Sequence, residues 1–145
     1  MQLISFPGEK VPYLISVALL ALFYWFFRNR ILSVIILASD YGVAAIVQII
    51  KQLLKIPRPI GALETGYGFP SQHAASYVVF WGVLVITTKN KLLKALGTLM
   101  ILMVGISRVY LGEHSVVDVV GGYVIGFTVL WLSWWSISRF GLQKS

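Results

Sequence analysis

Long apolar runs, each closed by a polar or charged turn, constrain this chain more than any other feature. A helix that crosses the hydrocarbon core of a bilayer needs about 20 mostly apolar residues, with a range of about 17–25. Five runs approach that length, at residues 11–27, 31–54, 73–88, 92–110 and 115–138. The first stops at Arg28-Asn29-Arg30, the second just before Pro57-Arg58-Pro59, and the third at Lys89-Asn90-Lys91. Only Leu111-Gly112-Glu113-His114 separates the last two. In lipid every backbone N–H and C=O must be paired within the segment, so runs of this kind form helices. The expectation is an all-α integral membrane bundle of about five transmembrane helices, with one domain over residues 1–145.

Composition supports lipid as the solvent. Apolar residues make up 58% and charged residues only 12% of the chain, against about 25% charged in a soluble domain. So few charges cannot cover a water-soluble globule of this size. The chain has no cysteine, which removes disulfides, thiol chemistry and thiolate metal sites. Its net charge of +7 does not point to nucleic acid, because the basic residues sit at the ends of apolar runs, as membrane flanks do. The N-terminal run follows Pro12, ends in Phe26-Phe27-Arg28 and lacks a small-residue cleavage site, so it reads as a span and not a cleavable signal.

Five spans place the chain's two ends on opposite sides. One side carries Arg28, Arg30, Lys89, Lys91, Lys94, Arg139 and Lys144 with no acid among them. The other carries Lys10, Lys51, Lys55, Arg58 and Arg108 together with Glu9, Glu64 and Glu113. The positive-inside rule makes the first side cytoplasmic, with the N-terminus and the loop from 57 to 72 facing outward across the plasma (inner) membrane.

Three polar clusters interrupt the helix ends on that outward side: Lys51 with Arg58-Pro59, Pro70-Ser71-Gln72-His73, and Ser107-Arg108 with His114 and Asp118. Ionisable groups at membrane depth are costly and are functional candidates by default. His114 and Asp118 are spaced i, i+4 and share a helix face, so the carboxylate can hold one imidazole nitrogen and leave the other as a nucleophile. Lys51, Arg58 and Arg108 offer fixed positive charge whose guanidinium forks match phosphate oxygens. Ser71 can donate a hydroxyl bond, and the amides opening the third helix form an anion site. His73, in that first turn, can protonate a leaving oxygen.

These clusters resemble the three-part signature of the type 2 phosphatidic acid phosphatase family, K-x6-R-P, P-S-G-H and S-R-x5-H-x3-D, a superfamily that includes vanadium haloperoxidases. The match runs from Lys51 to Asp118 with one departure, Gln72 in place of the usual Gly. The resemblance implies hydrolysis of a lipid phosphate or diphosphate, of the phosphatidic acid, phosphatidylglycerol phosphate, lipid A or undecaprenyl diphosphate type. It further implies that His114 becomes a phosphohistidine oriented by Asp118, that His73 protonates the leaving group and then activates water, and that Lys51, Arg58, Ser71, Gln72 and Arg108 bind the phosphate. Neither a metal nor another cofactor is expected, since the carboxylates look scattered around only two histidines.

Each feature also has a plainer reading. Lys51 alone would be a snorkelling flank residue, as Lys55 still is. His73 could be a helix-end polar residue, and His114 with Asp118 a structural ion pair. Ser107 reads more naturally as a packing or capping residue than as a phosphate ligand. Asp40, eleven residues before Lys51 and about 16 Å along the helix, reads first as a protonated acid bonded to a neighbouring helix and second as a deep contact to lipid. Glu64 and Glu113 read as solvated loop residues. Trp131, Trp134 and Trp135 read as interface anchors, and Gly122 with Gly126 as close packing within the chain or the seam of a homodimer. At the level of function, a phosphotransferase using the same site and a non-catalytic lipid-binding scaffold are the competing classes.

Overall fold

The computed structural model describes residues 10–27 and 29–139; Glu9, Arg28 and Lys144 of the charge balance lie outside the described residues, as does the side chain of Lys10. Five helices follow one another: α1 (Lys10–Phe27), α2 (Arg30–Leu54), α3 (Gln72–Thr87), α4 (Lys91–Tyr110) and α5 (Val116–Arg139). Each falls within a residue or so of an apolar run, because the turns carry good caps. The Asn29 side chain accepts the N–H of Ile31 at 2.8 Å, and that of Asn90 accepts those of Leu92 and Leu93 at 2.9 and 3.2 Å. Such caps satisfy amide donors that have no partner inside the helix. At its far end α2 closes on Lys55, in the left-handed region at φ 50°, whose N–H reaches the Lys51 carbonyl.

Three helices, α2, α4 and α5, are long and apolar enough to cross a membrane; the apolar part of α1 and all of α3 are shorter. At 16 residues α3 rises only about 24 Å. Its position explains why that suffices: α3 packs against α2, α4 and α5, and half of it, including Ala74, Ala75, Val78 and Val79, is buried in protein. A helix walled in by its neighbours can stop short of the headgroups, since the loop that extends it is satisfied by protein. Lipid-facing side chains such as Phe26, Phe27, Leu53 and Trp131 stand exposed around the outside, which in water would be a large aggregation-prone patch.

Two apolar clusters stack along the bundle. Val43, Val47, Ala75, Val79 and Val129 fill its middle, and Tyr24, Leu32, Ile36, Val83 and Ile137 fill the end near the α1–α2 turn. In the seam between α3 and α5 backbone approaches backbone. A Cβ on Gly122 would lie 2.4 Å from the Ser71 carbonyl oxygen, and one on Gly126 would lie 2.7 Å from that of Ala75. The G-x3-G stripe is therefore spent within the chain. Above this core, at the end where α2 and α4 finish and α3 and α5 begin, the three polar clusters meet.

Candidate active site

The site is built from loop backbone pinned between helix ends. After α2 the chain doubles back: Pro57 pairs with Tyr67 in an isolated antiparallel bridge, and Gly68 N–H donates to the Ile56 carbonyl at 2.8 Å. A side chain at Gly68 would be tightly confined, because a Cβ would lie 3.0 Å from the Pro57 oxygen and 3.2 Å from Asp118 Oδ2. Ser71 N–H then donates to the Asp118 carbonyl at 2.8 Å, tying the start of α3 to the start of α5. Between α4 and α5 the amides of Glu113 and His114 return to the Arg108 carbonyl at 3.1 and 3.3 Å. Ser115 and Asp118 form a reciprocal cap: Ser115 N–H donates to Asp118 Oδ2 at 2.8 Å, and Asp118 N–H to Ser115 Oγ at 3.2 Å.

This scaffold gathers the sequence-predicted residues around one imidazole. Arg58 Nη1 stands 3.3 Å from His114 Nε2 and donates to the Glu113 carbonyl at 2.9 Å. A guanidinium can only donate, so Nε2 is the accepting nitrogen and the proton of the neutral ring is on Nδ1. Nδ1 faces Asp118 Oδ2 at 3.7 Å, an ion-pair distance beyond hydrogen bonding. Burial first, and then the positive charges of Arg58, Lys51, His73 and Arg108, hold the His114 pKa down to about 3. The ring is thus neutral at physiological pH, with its Nε2 lone pair turned toward cations.

Several residues take up positions that sequence alone did not settle. Lys51 is buried, and its ammonium donates to the carbonyls of Tyr67 and, at 3.2 Å, Gly68. It buttresses the loop as well as lining the cavity. Ser71 caps α3 through the Ala74 N–H at 3.4 Å, which leaves its own hydroxyl proton free to donate. Ser107 is fully buried and turned back to the Val104 carbonyl at 2.8 Å, so the packing reading holds. Asp40 is bonded by the Tyr13 hydroxyl of α1, as the neighbouring-helix reading anticipates. Gln72 donates from Nε2 to Ser76 Oγ at 3.0 Å. Gln72, Asp40 and Tyr13 line, with His73 and His114, a cavity of about 990 Å³ that runs from the loops down between α1, α2 and α3.

Of the two acids expected in solvated loops, Glu113 is a correction, while Glu64 stays part-exposed in its loop but is paired with the cations. Glu113 is only 6% exposed, and its carboxylate accepts the backbone N–H groups of Leu63 and Glu64 at 3.1 and 3.0 Å. Glu64 reaches Arg58 at 2.7 Å with one oxygen and Arg108 at 3.4 Å with the other. Their one sequence signal was placement: two acids in the turns beside Arg58 and Arg108. Glu64, His73 and His114 also bring ligand atoms within 4.8 Å of one another, so these groups are not scattered as expected. The cluster still suits an anion better than a metal ion, since both Glu64 oxygens are committed to guanidiniums and Lys51 adds a further positive charge nearby. Arg58 Nε, Arg108 Nε and His114 Nδ1 are buried without hydrogen-bond partners among the described residues.

A model of the PAP2 superfamily matches residues 30–141, which take in α2 to α5 and all three clusters. This chain belongs to the PAP2 superfamily. Among the relatives of this PAP2 chain is the lipid phosphate phosphatase delta of Arabidopsis thaliana, 30% identical over 80% of the chain and 34% of the relative. The undecaprenyl-diphosphatase of Sulfolobus acidocaldarius is 27% identical over 92% of the chain and 67% of the relative. The PAP2 chain thus spans only about a third of the plant protein's length. Its fold matches the crystal structure of a transmembrane PAP2-type phosphatidylglycerolphosphate phosphatase from Bacillus subtilis, with a TM-score of 0.82 at 25% identity, covering 94% of this chain and 74% of that one.

Proposed function

We propose that this PAP2 chain is a membrane-embedded lipid phosphatase that cleaves a phosphate from a lipid through a phosphohistidine on His114. The observation that carries the reading is the neutral, buried His114, whose Nε2 faces the Arg58 guanidinium, together with the unpartnered buried Nε donors of Arg58 and Arg108. Unsatisfied buried donors call for a partner, and a phosphate offers oxygens to several at once.

In the proposed reaction His114 Nε2 attacks phosphorus and the P–O bond to the lipid breaks. His73 gives its proton to the departing oxygen. Asp118 faces the Nδ1 proton and stabilises the positive charge that the ring acquires on forming the N–P bond. Water then attacks the phosphohistidine, His73 takes its proton, and free phosphate leaves with His114 restored. Arg58, Arg108 and Lys51 offset the charge spread over the equatorial oxygens, and the Ser71 hydroxyl and the amide of Gln72 complete the cradle. The lipid tail occupies the cavity between α1, α2 and α3. We place the site on the extracytoplasmic side with the N-terminus outward. Arg30, Lys89, Lys91 and Arg139 at the opposite end of the bundle support that orientation through the positive-inside rule.

The test is phosphate release from a panel of lipid phosphates and diphosphates, in detergent with EDTA, beside a His114→Ala variant. Release by the parent, reduced at least about a thousandfold in the variant, is the expected result. Equal release by both proteins would remove His114 from the mechanism, and transfer of phosphate to an added acceptor lipid in place of water would make the chain a transferase.

A further inference from the structure

Glu64 occupies an unusual place for a carboxylate. Its Oε2 lies 2.7 Å from Arg58 Nη2 and its Oε1 3.4 Å from Arg108 Nη1. It shares that spot with ring nitrogens of His73 and His114, within 4.8 Å. These are the groups assigned above to phosphate. Two anions in contact repel strongly, and while Glu64 is in place Arg58 Nη2 and Arg108 Nη1 are closed to phosphate, which is left with the unpartnered Nε donors.

We propose that Glu64 is an internal stand-in for phosphate: its carboxylate holds Arg58 and Arg108 together until a phosphate group displaces it, and so it sets the affinity of the site for phosphate. The proposal rests on the phosphate-site reading above. Which partner moves follows from burial and anchoring. The Arg108 and Arg58 side chains are 3% and 11% exposed, whereas that of Glu64 is 36% exposed. Arg58 is further held by the Glu113 carbonyl. The backbone of Glu64 stays in place, because the buried Glu113 carboxylate accepts its N–H and that of Leu63. Displacement is therefore a swing of one side chain on a pinned loop, with Glu113 as the positioning residue. While Glu64 is in place its single negative charge offsets part of the repulsion between the two arginines and keeps them aligned for the incoming group.

The experiment is a calorimetric titration of orthophosphate into the purified parent and into Glu64→Gln, with thermal unfolding of both as a folding control. Glu64→Gln keeps the shape and removes the competing charge, so it should bind orthophosphate about tenfold more tightly. In the lipid assay its KM should fall with it. Equal or weaker orthophosphate binding by a folded Glu64→Gln overturns the proposal, and marks Glu64 as a ligand or a structural ion pair instead. If that variant does not fold, Glu64→Asp gives the same readout: it draws the charge back from the arginines by one methylene, and unchanged or weaker binding again overturns the proposal. The underlying phosphatase reading fails separately, through the His114→Ala comparison, whatever these titrations give.

Discussion

At the scale of single residues, the site depends on what each charge touches more than on how many charges there are. Asp118 shows this best. One of its oxygens receives the Ser115 amide and also faces His114 Nδ1, so the same carboxylate starts a helix and steadies a ring. An amide in its place keeps the cap, since Asn caps about as well as Asp, but it cannot stabilise an imidazolium. Asp118→Asn should therefore lower phosphate release by about 10²–10⁴-fold while leaving the unfolding temperature within a few degrees of the parent. Near-parental turnover in that variant would reduce Asp118 to a capping residue. Glu64 and Glu113 were beyond the reach of sequence for a related reason. Their partners lie 44 to 55 positions away or across a turn, and an ion pair between distant residues leaves no periodic trace.

At the scale of elements, what was legible followed from strong local signals. Asparagine caps, the Pro57-Arg58-Pro59 breaker and charged turns bound the apolar runs, so the helices begin and end within a residue or so of them. The loop between α2 and α3 was not legible, because its fold-back depends on Lys51 reaching the Tyr67 and Gly68 carbonyls from the previous helix. The use of the glycine stripe was equally open until α3 was seen against it. Because Gly122 lets the Ser71 carbonyl approach, Gly122→Ala must push α3 and α5 apart at the level of Ser71. Overpacking of this kind costs about 1–3 kcal/mol. We expect a lowered midpoint in thermal unfolding together with a loss of turnover, since the same seam positions Ser71 against Asp118. A fully stable and active Gly122→Ala would show that the seam can relax without disturbing the site.

At the scale of the whole molecule, the burial of His114 links the site to the stability of the fold. Its pKa is held near 3 in the folded protein, against about 6.5 for an unfolded chain. The unfolded chain therefore takes up the proton first as pH falls. The stabilising contribution is complete above about pH 6.5 and is lost progressively toward pH 3. Unfolding temperatures in detergent should drop across this window, and a His114→Asn variant should show a shallower slope there. Identical slopes for the two proteins would place the acid sensitivity elsewhere.

The shortness of α3 has a consequence for where the proposed chemistry takes place. With about 24 Å of rise against a hydrocarbon core of about 30 Å, α3 is shorter than the layer it is proposed to cross, and under the proposed function Ser71, Gln72 and His73 at its end lie within the depth of the lipid. A lipid would then arrive by sideways diffusion, keeping its tail among other tails while only its head turned inward. For such a catalyst the concentration that matters is a number of molecules per unit area, and crowding of the leaflet governs its supply.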